Sequence, residues 1–108
     1  MAKNFVQHGK TIEIANTGSG AILSGSPVMV GKVVAIAITD IPAGQTGDGF
    51  AEGVFLLPKL TTDAITIGEQ VHIKDGKVQN DATGADLAGV AWEDAAASSA
   101  IVAVKINA

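Results

Sequence analysis

The sequence predicts a small all-β fold, a single-domain β-barrel or sandwich built from two similar β units. Three observations carry that expectation. Apolar residues recur with period two through most of the chain, the mark of half-buried strands. Turn-forming clusters separate these runs: Asn16-Thr17-Gly18-Ser19-Gly20, Ile41-Pro42-Ala43-Gly44-Gln45-Thr46-Gly47-Asp48-Gly49 and Asn80-Asp81-Ala82-Thr83-Gly84. Thirteen glycines suit that many tight turns and bulges. The chain also repeats itself. Ala21-Ile22-Leu23-Ser24-Gly25-Ser26-Pro27-Val28-Met29-Val30 reads against Ala64-Ile65-Thr66-Ile67-Gly68-Glu69-Gln70-Val71-His72-Ile73, and Val33-Val34-Ala35-Ile36-Ala37-Ile38-Thr39-Asp40 against Leu87-Ala88-Gly89-Val90-Ala91-Trp92-Glu93-Asp94. The second pair of blocks lies eleven residues further apart than the first. A solenoid needs about three repeats to bury a continuous core, so two copies imply one compact body.

In Thr11-Ile12-Glu13-Ile14, Ile12 and Ile14 share one strand face, Thr11 and Glu13 the other. Val34, Ile36 and Ile38 form one face of the next long run, with Val33, Ala35 and Ala37 behind them. A strand apolar on both sides is central or covered by a neighbouring subunit. Residues 50–57 alternate around Glu52 and stop at Pro58. Val71 and Ile73 pair with Val78 across Asp75-Gly76, a type I′ hairpin signal inside the extra length of the second copy. A last strand over residues 101–106 turns Val102, Val104 and Ile106 inward. Alternation groups Trp92 with Val90 and Ala88 in the core, where its indole N–H needs a partner. No segment carries a sustained 3.6-residue stripe; Asp94-Ala95-Ala96-Ala97-Ser98 makes one helical turn at most.

A chain of 108 residues is one domain with enough surface to bury a core. Residues 1–11 read as a flexible N-terminal arm and 12–108 as the β body. Without cysteine there are neither disulfides nor thiolate metal sites. The opening Met1-Ala2-Lys3-Asn4-Phe5-Val6-Gln7-His8 lacks the apolar stretch of a secretory signal, and no run approaches the ~18 residues of a membrane span. A soluble protein made in the cytoplasm, with no membrane partner, is expected. All seven basic residues are lysines, tyrosine is absent and the net charge is −4. Arginine forks and aromatic platforms are what read phosphate and unpaired bases, so nucleic acid is not an expected partner. Lys3 and Lys10 stand in an arm without acids, while the remainder sets five lysines against eleven acids. A basic arm on an acidic body suits docking onto another molecule.

The motifs point away from catalysis. Gly9-Lys10-Thr11 has the tail of a phosphate-binding loop, but Asn4 stands where the first glycine belongs, and Thr11-Ile12-Glu13-Ile14 continues as strand rather than helix. His8 and His72 have no acid or cysteine at ligand spacing, and His72 falls on the outward face of its strand. Glu93 and Asp94 are adjacent, so an extended chain points them apart. Asp40 and Asp94 occupy matching repeat positions and read as turn caps. Asp48 and Asp81 lie in Gly-rich turns without the alternating oxygens of a Ca²⁺ loop. Ser24, Ser26, Ser98 and Ser99 lack a nucleophile elbow. No catalytic residue, cofactor or metal ligand is expected.

Taken in order, the residues resemble a family of small tailed-phage capsid cement, or head decoration, proteins. The resemblance is carried by Met1-Ala2-Lys3-Asn4-Phe5-Val6-Gln7-x-Gly9-Lys10, Asn16-Thr17-Gly18, Ile22-x-x-Gly25-x-x-Val28-x-Val30-Gly31 and Val34-Ala35-Ile36-Ala37. Asp40-Ile41-x-Ala43-Gly44-x-Thr46-Gly47 and Glu52-Gly53-Val54-Phe55-x-Leu57-Pro58-Lys59 complete it. Some members carry a recombinase-like label, against which the failed phosphate-loop match argues. The resemblance implies a non-enzymatic bacteriophage structural protein that binds the outer surface of the mature head and stabilises it. The implied partners are the major capsid protein and further copies of the chain, a homotrimer before a dimer. The implied locations are the virion surface and, during assembly, the host cytoplasm. The arm residues Lys3, Asn4, Phe5, Val6 and Gln7 are the expected capsid-binding segment, Phe5 as apolar anchor and Lys3 meeting acidic capsid surface. The alternatives are a small β-barrel binding or regulatory domain of hidden ligand, and a nucleotide-dependent recombination factor.

Overall fold

The computed structural model describes residues 3, 4 and 6–108. It is all-β, with nine strands and no helix among the described residues: β1 (Thr11–Ala15), β2 (Pro27–Val30), β3 (Val33–Ala37), β4 (Thr46–Phe50), β5 (Val54–Pro58), β6 (Gln70–Lys74), β7 (Lys77–Gln79), β8 (Asp86–Ala91) and β9 (Ile101–Ile106). They form two antiparallel sheets, ordered β1-β4-β3-β2 and β5-β9-β8-β6-β7. The second curls into a half-barrel, because Val78 of β7 makes a parallel bridge to Lys59, just past β5.

The two sheets are two copies of one unit, and the correspondence runs further than the repeated sequence blocks. Thr11↔Phe50 through Ala15↔Thr46 has its counterpart in Val54↔Lys105 through Pro58↔Ile101. Ile36↔Phe50 and Ala37↔Gly49 match Val90↔Lys105 and Ala91↔Val104. Even the isolated bridges recur, Ile22↔Ile41 in one copy and Ile65↔Ala95 in the other. Asp40 accepts the Ser24 N–H at 2.7 Å, and Asp94 accepts the Ile67 N–H at 2.7 Å. Both aspartates are the turn caps their positions imply. The extra length of the second copy is the β6–β7 hairpin, turned through Asp75 (φ 53°) and Gly76 (φ 77°) as a type I′ turn requires.

One position pairs dissimilar residues in the same task. Asn16 donates through Nδ2 to the carbonyls of Gly20 and Ile41, both at 2.9 Å. Its counterpart Lys59 is 2% exposed and donates through Nζ to Leu60 (2.6 Å), Ala97 (3.2 Å) and Asp63 carbonyls. Each side chain supplies the donors for the carbonyls of a loop that folds over the end of its sheet. Lys59→Met keeps the stem and removes the donors, so a loss of about 3 kcal/mol is expected in urea denaturation, since each buried acceptor left unpaired costs about 1–3 kcal/mol.

The main core fills the second unit: Leu57, Val71, Val78, Val102 and Val104 are fully buried, with Ile106 beside them. The inward set Val102, Val104 and Ile106 is the one the alternation predicts. Val34 and Ile36 of β3 join this core, whereas Ala35 and Ala37 on the opposite face join a smaller one with Ile14 and Ile41. The doubly apolar strand is therefore central, and both its faces are covered within the chain.

Two expectations fail. β4 falls in a stretch that reads as a turn, and residues 50–57 are not one strand but the end of β4, a break and β5. The glycines of Thr46-Gly47-Asp48-Gly49-Phe50 serve packing: a Cβ on Gly47 would lie 2.7 Å from Ile41 Cγ1, and one on Gly49 2.6 Å from Ile14 Cδ1. Trp92 is not in the core but 51% exposed, with Lys105 Nζ 5.3 Å from its ring centre. The pairing of β6 with β8 slips between Val71 and His72, so β8 carries an extra residue at Ala88. That bulge inverts the alternation beyond it: Ala88 and Ala91 face in, Trp92 faces out.

Candidate functional site

The arm enters the body through Lys10, whose carbonyl accepts the Ala51 N–H at 2.8 Å, and passes directly into β1. Among its candidate residues, Lys3 and Asn4 lie in an exposed turn, Val6 is 87% exposed and Gln7 is exposed. Phe5, the expected anchor, lies outside the described residues, as do Met1 and Ala2. β1 is the outermost strand of its sheet, hydrogen-bonded on one side to β4. Gly9-Lys10-Thr11 leads into that strand, so no helix N-terminus follows it to hold phosphate.

The other chemistry-bearing groups are structural or scattered. Among the described residues no three His, Asp or Glu side chains converge as metal ligands. Asp81 accepts the Thr83 N–H at 2.9 Å. Hydrogen bonds from the Thr83 backbone and hydroxyl, aided weakly by His72 and Lys74, hold its carboxyl below the ordinary Asp value. This closes an Asx turn after β7. His72 sits half-buried opposite Leu87. A cleft of about 290 Å³ separates β2 from the β6–β7 hairpin, lined by Pro27, Met29, Ile73, Lys74, Gly76 and Asp86 among others. Lys32 crosses nearby to Asp86 at 3.4 Å, an exposed pair worth little. The cleft marks the seam between the two units.

The surface that sequence reasoning missed is the outer face of the second sheet. Leu56 is 63% exposed, Ile101 50% and Val54 45%. Strand pairing places them together, with Leu56 opposite Ala103 and Ile101 opposite Pro58. Trp92 joins them, its backbone N–H donating to the Ala103 carbonyl at 2.9 Å. At the positions of Val54, Leu56, Ile101 and Ala103 the first sheet carries Thr11, Glu13, Thr46 and Asp48, while Ile38 stands in the place of Trp92. Reading the repeats against each other over β1 and β5, beyond the matching blocks, is the signal that exposes this difference.

A family model described as phage cement protein matches residues 6–106 of the chain. No curated protein and no solved structure matches it.

Proposed function

The chain belongs to the phage cement protein family, a structural family associated with the phage capsid, and from that membership we propose that it binds the outer surface of the mature head and stabilises it. The major capsid protein is the partner, and the arm residues Lys3, Asn4, Phe5, Val6 and Gln7 make the attachment. The protein is synthesised in the host cytoplasm and ends on the virion exterior, as a homotrimer before a dimer. The family match over nearly the whole chain carries this reading. The exposed arm supports the choice of site, since a segment that runs directly into an outermost strand suits β-strand addition to a partner's sheet edge. Stabilisation then follows by linkage: a ligand that binds only the assembled, expanded lattice lowers its free energy by RT ln(1 + [L]/Kd) at each site, and many sites repeat the gain.

The test is co-sedimentation with expanded, undecorated shells and with unexpanded procapsids. Saturable binding to the former, weak on the latter, is the expected result; no binding to either overturns the proposal. Deleting residues 1–8 is expected to leave thermal unfolding unchanged and weaken shell binding at least tenfold, about 1.4 kcal/mol or more. Undiminished binding by that variant moves the attachment off the arm.

A further inference from the structure

The first sheet has β2 at one edge, paired among the described residues only with β3. Its equivalent in the second unit is β6, since Val28, Met29 and Val30 stand where Val71, His72 and Ile73 stand. That strand has β8 on one side and β7 on the other, through His72↔Gln79, Ile73↔Val78 and Lys74↔Lys77. The difference shows in burial: Val71 and Ile73 are buried, whereas no residue of β2 is. We propose that the open edge of β2 accepts an extended segment of the capsid partner as a fifth strand, antiparallel to β2 and aliphatic at its centre.

The register and chemistry of that segment follow from β7. Gly31-Lys32 is a two-residue turn, so Val30 and Val33 form the hydrogen-bonded pair that closes it, and Val28 with Ala35 the next. The N–H and C=O of Met29 then face away from β3, as those of His72 face Gln79 across its hairpin. A partner residue opposite Met29 would exchange both bonds with it. The residue before that one lies opposite Val30 and takes the place of Val78, whose side chain is wholly buried. An aliphatic side chain there would cover the half-buried Val28 and Val30 on the inner face. On the outer face, the cleft of about 290 Å³ lined by Pro27, Met29, Ile73, Lys74 and Asp86 has room for the side chain opposite Met29. The charges at its rim suit a polar residue, as Gln79 is in β7. An unpaired edge of this kind is what strand addition uses. The chain's own arm is not the occupant, because it enters β1 at the opposite edge of the sheet. The inference rests on the capsid reading for the source of the segment; the open edge does not depend on it.

Hydrogen exchange read at single amides tests this without any variant. In the free protein Met29 is expected to exchange fast, and Val34, held by Asn107, slowly. On expanded shells Met29 exchange should slow at least tenfold, with Val34 unchanged. Exchange at Met29 as fast on shells as in solution, with the protein still bound, overturns the inference and leaves the cement reading standing. Exchange at Met29 that slows with protein concentration in solution, and recovers when residues 1–8 are deleted, assigns the edge to the arm of a second copy and overturns the capsid segment as occupant. A synthetic peptide of residues 76–80, which carries Lys77-Val78-Gln79, is titrated in parallel. Saturable shifts of the Met29 and Val30 amide resonances are expected, and none at millimolar peptide overturns the acceptor edge itself. A protein that binds no shell yet responds to the peptide loses the cement reading, and with it the capsid source, while the edge stands.

Discussion

Gly89→Ala is expected to destabilise the protein by about 4 kcal/mol, enough to leave a domain of this size marginal or unfolded. Gly89 has φ +154°, and a Cβ built there would lie 2.1 Å from the Lys105 carbonyl oxygen and 3.0 Å from Ile106 Cα. Both obstacles are backbone atoms of β9, which cannot step aside without giving up the pairing Gly89↔Ile106. The dihedral adds about 1–3 kcal/mol, because side chains rarely adopt it. Gly20→Ala is the control. Gly20 has no neighbour within 4 Å of the added methyl and no positive φ, so its urea midpoint should move by less than about 0.5 kcal/mol equivalent. A Gly89→Ala midpoint equal to that control would show that β9 can shift away from the bulge.

The second large effect is expected at Asn107. Its side chain treats Val34 as a strand neighbour would, accepting the N–H through Oδ1 at 2.9 Å and donating to the carbonyl through Nδ2 at 2.8 Å. Nδ2 also donates to the Ala51 carbonyl at 2.8 Å, and its own N–H bonds Ala88 at 2.8 Å. One residue past β9 thus ties the second unit to β3 and to the link after β4. Asn107→Ala removes three of these bonds and places alanine at φ 59°, where asparagine is far better tolerated. A loss of about 3 kcal/mol is expected, from two or three unpaired backbone groups and the dihedral cost. Asn107→Asp separates the causes: it keeps the acceptor for Val34 N–H but sets a carboxylate against two carbonyls. Urea melts should find it no better than the alanine variant. An aspartate variant as stable as the parent would mean that the two donated bonds contribute nothing.

The duplication was legible because its carriers are apolar and turn residues, which recur as identities: Ile22 with Ile65, Gly25 with Gly68, Asp40 with Asp94. The partnership of Asn16 with Lys59 was not, since an amide and an ammonium share only the capacity to donate. β4 was hidden because its glycines answer a steric demand from Ile14 and Ile41 that lies far away in sequence. Trp92 was misplaced by a single extra residue in β8; alternation carries its phase forward and has no means of registering a bulge set by the neighbouring strand. At the candidate site, the lysines of the arm and the lack of acids around them could be read directly. The apolar sheet face could not, because Leu56 and Ile101 become neighbours only through the β5–β9 pairing.

The unequal turns of the two units have a use in engineering. Where the second unit spends eleven more residues on a hairpin, the first makes do with Gly31-Lys32, so a hairpin grafted there copies an arrangement this fold already accommodates. A short graft would serve as a display loop. One long enough to close the first sheet as β7 closes the second would also cover Ile12, Val28 and Val30.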